Sequence, residues 1–321
     1  MSAARGLARQ ARVRALAKIN LDLRVLERRP DGYHELRTIF QTITLADTLD
    51  VAFTPARRTA VELEDAQQIP DNLVVRAARL ALDAMRIAGR VEMSLRKRIP
   101  MGAGLGGGSS DAAAVLLALP ALAGRPLALS TLHDLAQQLG SDVPFFLLGG
   151  RAVGIGRGTE LFPLPDAPPR PGIIVAPGVH VATAQAYRDL SARLTAESQQ
   201  EKLRSFQHQA WGLDPEAAGA NDFEPVVFER EPRLALLKRR LARAGASPAM
   251  MTGSGSALFG LFPTRSEAAR ARQRFDDVET FPVSLVSRTR YRRLWWRWLA
   301  PHVEAGVWPP GATSPLYSGR S

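Results

Sequence analysis

The sequence predicts an α+β chain of two domains, and three observations carry that prediction. β-type runs crowd residues 13–63, amphipathic helices with recognisable ends follow them, and residues 162–172, FPLPDAPPRPG, hold five prolines that neither a helix nor a central strand accepts. At 321 residues the chain is long enough for one large or two moderate domains. The proline-dense segment is therefore placed at the boundary, giving domains over 13–165 and 166–287, a basic N-terminal extension over 1–12 and a basic aromatic tail over 288–321.

Residues 13–25 are apolar and β-rich, and RRPDGYHE at 28–35 reads as a turn between strands. Residues 36–45, 48–53 and 59–63 continue the β pattern. In DNLVVRAARLALDAMRIAG an Asp71 cap, apolar Leu73, Ala77, Leu80 and Ala84, and a terminal Gly89 predict a helix. Residues 91–95 alternate as a strand, residues 112–119 form a short apolar helix stopped at Pro120, and residues 130–140 form another that ends at Gly140. Beyond the boundary the patterns predict a strand at IIVAP, helices near 183–194, 233–244 and 267–275, a strand at ALFGLF and one at 282–286. A polar, aromatic-poor stretch around 197–209 interrupts them.

Composition excludes several classes. With 45% apolar and 23% charged residues the chain is an ordinary globular protein, and no apolar run approaches the ~18 residues of a spanning helix. The absence of cysteine removes disulfides, thiolate metal sites and a cysteine nucleophile, and its simplest compartment is the cytoplasm. None of the five histidines is spaced His-x-x-x-His, so no histidine metal site is expected and the metal ligands stay unknown. The arginine-rich start superficially matches an organelle leader, but it runs straight into a strand pattern. Much of the net charge of +11 sits there and in RTRYRRLWWRWL near the other end. No nucleic acid is expected for the body, whereas the tail, with Trp295, Trp296 and Trp298, is open to a membrane surface or a partner. Oligomeric state is not legible.

The stretch IPMGAGLGGGSSDAAAVLL, residues 99–117, is the strongest local signal. Gly102, Gly104 and Gly107 satisfy a dinucleotide fingerprint, but no second strand with a ribose-binding acid follows at the required distance. A P-loop fails because no Gly-Lys-[Ser/Thr] follows. Strand, glycine run and helix in this order still make an anion nest: glycines let backbone amides turn inward, and the helix adds its positive end. Ser109 and Ser110 add hydroxyls for a phosphate oxygen or a bridging metal. A flexible linker is the bland alternative, and the bracketing strand and helix argue against it.

Phosphoryl transfer to a hydroxyl needs a phosphate cradle, a cation and a carboxylate. Lys18, in ALAKINLDL, is an ammonium on a mostly apolar strand, which is costly without an anionic partner; an edge lysine reaching solvent is the alternative. Asp142, in GSDVPFF, suits a helix N-cap at least as well as a catalytic role. TGSGSALFG at 252–260 either approaches a ligand through its backbone or is a tight connection.

Three motifs in order then carry a resemblance: AKINLDLRVLERRPDGYHELRTIFQTI at 17–43, PMGAGLGGGSSDAAAVL at 100–116 and GSDVPFFLLGG at 140–150. The chain resembles the GHMP small-molecule kinases over roughly residues 13–286, and in particular the branch acting in isoprenoid precursor synthesis. The resemblance implies an N-terminal domain like ribosomal protein S5 domain 2, an α/β-plait-like C-terminal domain and a site between them. It implies ATP with Mg²⁺ as donor and a small alcohol carrying a cytidine diphosphate group as acceptor. ATP is expected against Pro100, Met101, Gly102, Ala103, Gly104, Leu105, Gly106, Gly107, Gly108, Ser109 and Ser110, with Asn72 and Lys97 near the adenine. Asp142 is expected as general base, and Lys18 beside it offsets charge as the alkoxide forms. Asn20, on the same strand face as Lys18, places the acceptor; Tyr33, His34, Phe40 and Tyr187 hold its cytidine end, and Thr183 its phosphates. Ala103 stands where the family commonly has glycine, Asp111 where asparagine is frequent, Tyr187 where phenylalanine is familiar. Residues 288–321 do not match the usual ending.

Overall fold

The structure, a computed structural model, describes residues 8–194, 196–212 and 219–303. Two long strands, β1 (Arg9–Arg28) and β2 (His34–Pro55), pair antiparallel around the turn expected at 28–35 and form the spine of a six-stranded sheet. β3 (Ala60–Asp65) and β4 (Gly89–Arg96) extend it beside the C-terminal half of β2; β5 (Arg151–Gly156) and β6 (Glu160–Pro163) extend it beside the N-terminal half. β1 slips register between Leu16 and Lys18 and again between Asn20 and Asp22. Such bulges re-aim side chains, here beside Lys18, Asn20 and Asp22, the buried polar residues of the strand.

Helices α1 (Leu73–Met85), α2 (Gly107–Ala123), α3 (Leu129–Leu139) and α4 (Val143–Leu148) belong with this sheet. α2 is enclosed from Ser110 to Leu122, which explains why its sequence is apolar all round and not amphipathic. Three expectations are corrected here. Asn72, not Asp71, caps α1, its Oδ1 accepting from Val74 N at 3.0 Å. That helix ends at a left-handed Arg86, and Gly89 begins β4. Pro120 lies inside α2: close to the C-terminus, its missing N–H forfeits one ladder bond, and Gly124 and Arg125 close the end on Ala121 and Pro120 carbonyls.

The chain leaves this sheet through the proline-dense segment. β7 (Pro171–Ala176) enters a second, four-stranded antiparallel sheet of order β10-β7-β9-β8, made with β8 (Ala249–Met251), β9 (Leu258–Leu261) and β10 (Glu279–Ser284). Helices α5 (Thr183–Ser191), α6 (Ala196–Trp211), α7 (Glu224–Arg230), α8 (Pro232–Arg243) and α9 (Arg265–Arg272) accompany it. The polar stretch at 197–209 is thus helical. Its Phe206 is buried, and Lys202 donates to the Val25 carbonyl and pairs with Asp222 at 2.7 Å.

The ends differ from expectation. Residues 9–12, assigned to the basic extension, belong to β1. The tail begins with helix α10 (Arg288–Leu299), which returns to the first lobe and buries Tyr291, Trp295 and Leu299 in its core. The Tyr291 hydroxyl donates to the Phe146 carbonyl of α4 at 2.5 Å, while Trp298 stays 41% exposed. Residues 304–321 lie outside the described residues. No described helix is long and apolar enough to cross a membrane.

Candidate active site

Between the two lobes lies a cavity of about 1100 Å³. β1 brings Lys18 and Asn20 to it, the glycine loop brings Gly102, Gly104 and Ser109, and the start of α4 brings Ser141 and Asp142. Lys18 is only 3% exposed, and its ammonium lies 3.4 Å from an Asp142 carboxylate oxygen and 2.8 Å from Asn20 Oδ1. Asp142 stands at the N-cap position of α4 but makes no capping bond with its side chain, so the carboxylate faces Lys18 and the cavity. Asn20 also donates to Thr38 Oγ1 at 2.8 Å, and its Oδ1 accepts from Gly253 N at 3.0 Å. The ammonium is held in one place because its partners are themselves held.

The glycine loop is built as a cradle and not as a linker. Lys18 N donates to the Leu105 carbonyl at 3.0 Å and Ala257 N to the Ala103 carbonyl at 3.2 Å, tying the loop to both lobes. Ala103 and Leu105 point into protein, 5% and 1% exposed, whereas Met101 is 60% exposed. Gly104, at φ +76°, leaves no room for a β-carbon, which would come 2.1 Å from the Thr252 carbonyl oxygen. Gly106, also left-handed, opens α2 without any side-chain cap, so the amides of the first turn are left for an anion.

Three expected nucleotide contacts are placed differently. The Ser110 hydroxyl is buried and donates to the Leu16 carbonyl at 2.7 Å, so it anchors α2 to β1 and does not face the cavity. The Lys97 ammonium is enclosed between Asp47 and Asp111, at 2.5 and 2.7 Å, and is 5% exposed. Burial works against its charge, but Asp111 and Asp47 outweigh it and raise Lys97 above the ordinary lysine value. Burial likewise pushes the Asp111 carboxyl up to about 7, against the pull of Lys97. Asp111 is therefore an inward partner of Lys97 and not a first-turn acid complementing the helix dipole. Asn72 is committed to its cap and to Asp65, and lines a separate hollow of about 600 Å³.

The opposite wall of the cavity is aromatic. His34 stacks on Tyr187 with ring centroids 4.8 Å apart, and its Nε2 is 2.5 Å from Ser191 Oγ. Phe223 meets Tyr187 edge-on at 4.8 Å. Tyr33 stands half exposed, Phe40 lies beneath the Lys18 ammonium at 5.6 Å, and Thr183 bonds Ser254 at 2.9 Å. Burial, and then Arg28, hold His34 below its ordinary value; burial, and then the charge of Asp142, hold the Tyr187 hydroxyl above its own.

The sequence reading missed Arg28, Arg157, His180 and Arg188, which line the same cavity. It left open the role of residues 252–255; Thr252 Oγ1 lies 3.2 Å from the Gly104 carbonyl and Gly253–Gly255 line the cavity, so this element reaches the ligand space. Asn221, also missed, holds that element by donating to the Met251 and Gly253 carbonyls, both at 2.8 Å.

An amide cradle facing a lysine–aspartate pair across an interlobe cavity defines a small-molecule kinase, and the comparisons agree. The model for the GHMP kinases N terminal domain matches residues 72–150 and that for the GHMP kinases C terminal matches residues 197–278. The chain belongs to the GHMP kinase family, which implies ATP as phosphate donor. It is 65% identical over 305 residues to a 4-diphosphocytidyl-2-C-methyl-D-erythritol kinase of Solibacter usitatus, covering 94% of this chain and 96% of that one. It is 42% identical to the protein of the same name from Geobacter metallireducens, covering 81% and 92%. A crystal structure of 4-(cytidine 5'-diphospho)-2C-methyl-D-erythritol kinase superposes with a TM-score of 0.72 at 39% identity, covering 85% of this chain and 98% of that one. A homoserine kinase from Cytophaga hutchinsonii, at 19% identity and a TM-score of 0.70, shares the fold.

Proposed function

We propose that the chain transfers the γ-phosphoryl group of ATP to the 2-hydroxyl of 4-diphosphocytidyl-2-C-methyl-D-erythritol. The observation that carries this reading is the Lys18–Asp142 pair, 3.4 Å apart, set between the glycine cradle and the aromatic wall. The cradle fixes the donor phosphates through amides of the loop and of the first turn of α2. The aromatic wall takes the flat cytidine end of the acceptor, with Tyr33, His34 and Tyr187 as contacts. Asp142 accepts the proton of the attacking hydroxyl, and the Lys18 ammonium stabilises the charge that develops on that oxygen. Asn20 orients both through its bond to Lys18.

Mg²⁺ is proposed to arrive with the nucleotide. Among the described residues no three His, Cys, Asp or Glu side chains gather as a metal site, and an ion held chiefly by phosphates needs only one or two protein oxygens; the Ser109 hydroxyl at the cavity suits that need and leaves Asp142 to act as base. When bound, it neutralises phosphate charge. Two lobes divided near residues 165 and 166 are retained as the domain description, supported by the passage of the chain from one sheet to the other between β6 and β7. With ATP as donor, the reaction is placed in the cytoplasm.

The test is transfer of γ-labelled phosphate from ATP to a panel of alcohols. Labelling of the cytidine-linked alcohol, and not of homoserine or mevalonate, is the expected result. Transfer to either of the latter alone would overturn the acceptor assignment.

A further inference from the structure

Arg157 sits at the tip of the hairpin joining β5 to β6, between Gly156 and Gly158, whose φ values are +65° and +86°. Gly158 N donates to the Ile155 carbonyl at 2.9 Å and closes the turn. Glycine takes positive φ without strain, so the turn is tight and carries its one long side chain to the cavity wall. The guanidinium lies over the Tyr33 ring, 3.5 Å from its centroid, while Tyr33 remains 50% exposed.

The Arg157 Nε is buried without a hydrogen-bond partner. The acids nearby are engaged elsewhere. Glu35 pairs with Arg29 and Arg37, and Asp31 pairs with Arg29 and accepts from Tyr33 N. Asp31 is near enough to feel the Arg157 charge, yet no ion pair within 4.0 Å joins them among the described residues. Arg28, exposed and likewise without an ion pair among those residues, lines the same wall. Two unpaired cations beside an aromatic platform form a surface for a ligand that is flat at one end and anionic next to it. A guanidinium suits both halves, since its plane packs on a ring while its edge donates to phosphate oxygens, and an ammonium does only the second.

This inference rests on the acceptor proposed above. We propose that Arg157 is a specificity-determining residue for that acceptor: it braces Tyr33 from one face, leaving the other for the pyrimidine, and donates to the diphosphate oxygens. Neither the glycine cradle nor the Lys18–Asp142 pair supplies that contact.

The test needs no turnover. Binding of CDP and of cytidine to the full chain is measured by calorimetry for the wild type, Arg157→Gln and Arg157→Lys. The wild type is expected to prefer CDP by about tenfold or more, and Arg157→Gln to bring that ratio to roughly twofold or less. Arg157→Lys should recover the preference for CDP while cytidine itself stays a few-fold weaker, roughly the loss of the stacked brace. Unchanged ATP affinity and melting midpoint establish that the variants are folded. An Arg157→Gln protein that keeps the wild-type ratio overturns the proposal and leaves the acceptor reading standing. A wild type that binds neither CDP nor cytidine overturns the acceptor reading, and this proposal with it.

Discussion

At the scale of single residues, the site works because polar groups that are costly to bury are paired with one another. Lys18 is nearly inaccessible, and Asp142 with Asn20 satisfies it. Asp142→Asn keeps the shape and removes the proposed base; kcat should fall by about 10²–10⁴ while ATP affinity is retained, and near-normal turnover in a steady-state assay would remove Asp142 from that role. His34 titrates below its ordinary value of 6.5, because burial, and then Arg28, disfavour the imidazolium. It therefore keeps its neutral form to lower pH than an unperturbed imidazole does. The acceptor KM should rise only at a pH below that at which an unperturbed histidine protonates; a His34→Gln variant should lose that rise, and an identical profile would dismiss His34 as its source.

At the scale of elements, the glycine loop and α2 are locked from both sides. Gly104 is hemmed in by the Thr252 carbonyl at a left-handed φ, so Gly104→Ala should cost on the order of 2 kcal/mol or more and weaken ATP binding, read by denaturant unfolding and by nucleotide titration. Behind the loop two carboxylates share one ammonium. The folded Asp111 pKa, near 7, lies above its unfolded value of 3.8, so the folded chain keeps a proton there that the unfolded chain has released. Its contribution to stability is complete below about pH 4 and disappears as the pH rises through 7. Asp111→Asn leaves Lys97 paired with Asp47 and deletes the surplus charge. The variant should melt roughly 2–4 °C higher than wild type at pH 8, with the gap closing at pH 5. Equal gaps at both values would contradict this account.

At the scale of the whole molecule, α10 closes the first lobe against α4, the helix that begins at Asp142. Tyr291 fills the space over Gly149, where a β-carbon would meet its ring at 2.4 Å, and Trp295 is 2% exposed. Trp295→Ala should therefore cost about 3–5 kcal/mol and lower the melting midpoint sharply; a shift of under a degree would refute a core role. The tryptophans looked like an external feature because a helix with five arginines around them reads as a surface element. Only the packed structure shows that Tyr291, Trp295 and Leu299, at i, i+4 and i+8, form one inward stripe.

The local signals were legible where chemistry is written contiguously. The glycine run, Lys18 on an apolar strand, Asp142 before Val-Pro, and the proline segment between the lobes can all be read from neighbours in the chain. So could most helices and strands, because their periods of 3.6 and 2 are local. What escaped was set by partners far away in sequence. The side chain of Lys97 is directed by Asp47, fifty positions earlier, and by Asp111. Ser110 is turned inward by the Leu16 carbonyl, and Arg157 meets Tyr33 only because β5 pairs beside β2. The sequence by itself determined the fold class and, through its three ordered motifs, the family, and it marked Lys18 and Asp142 as candidates, since each rests on short-range pattern and residue type. The tertiary structure alone decided which candidates face the cavity, because burial and hydrogen bonding between distant segments choose where each polar side chain is cheapest to place.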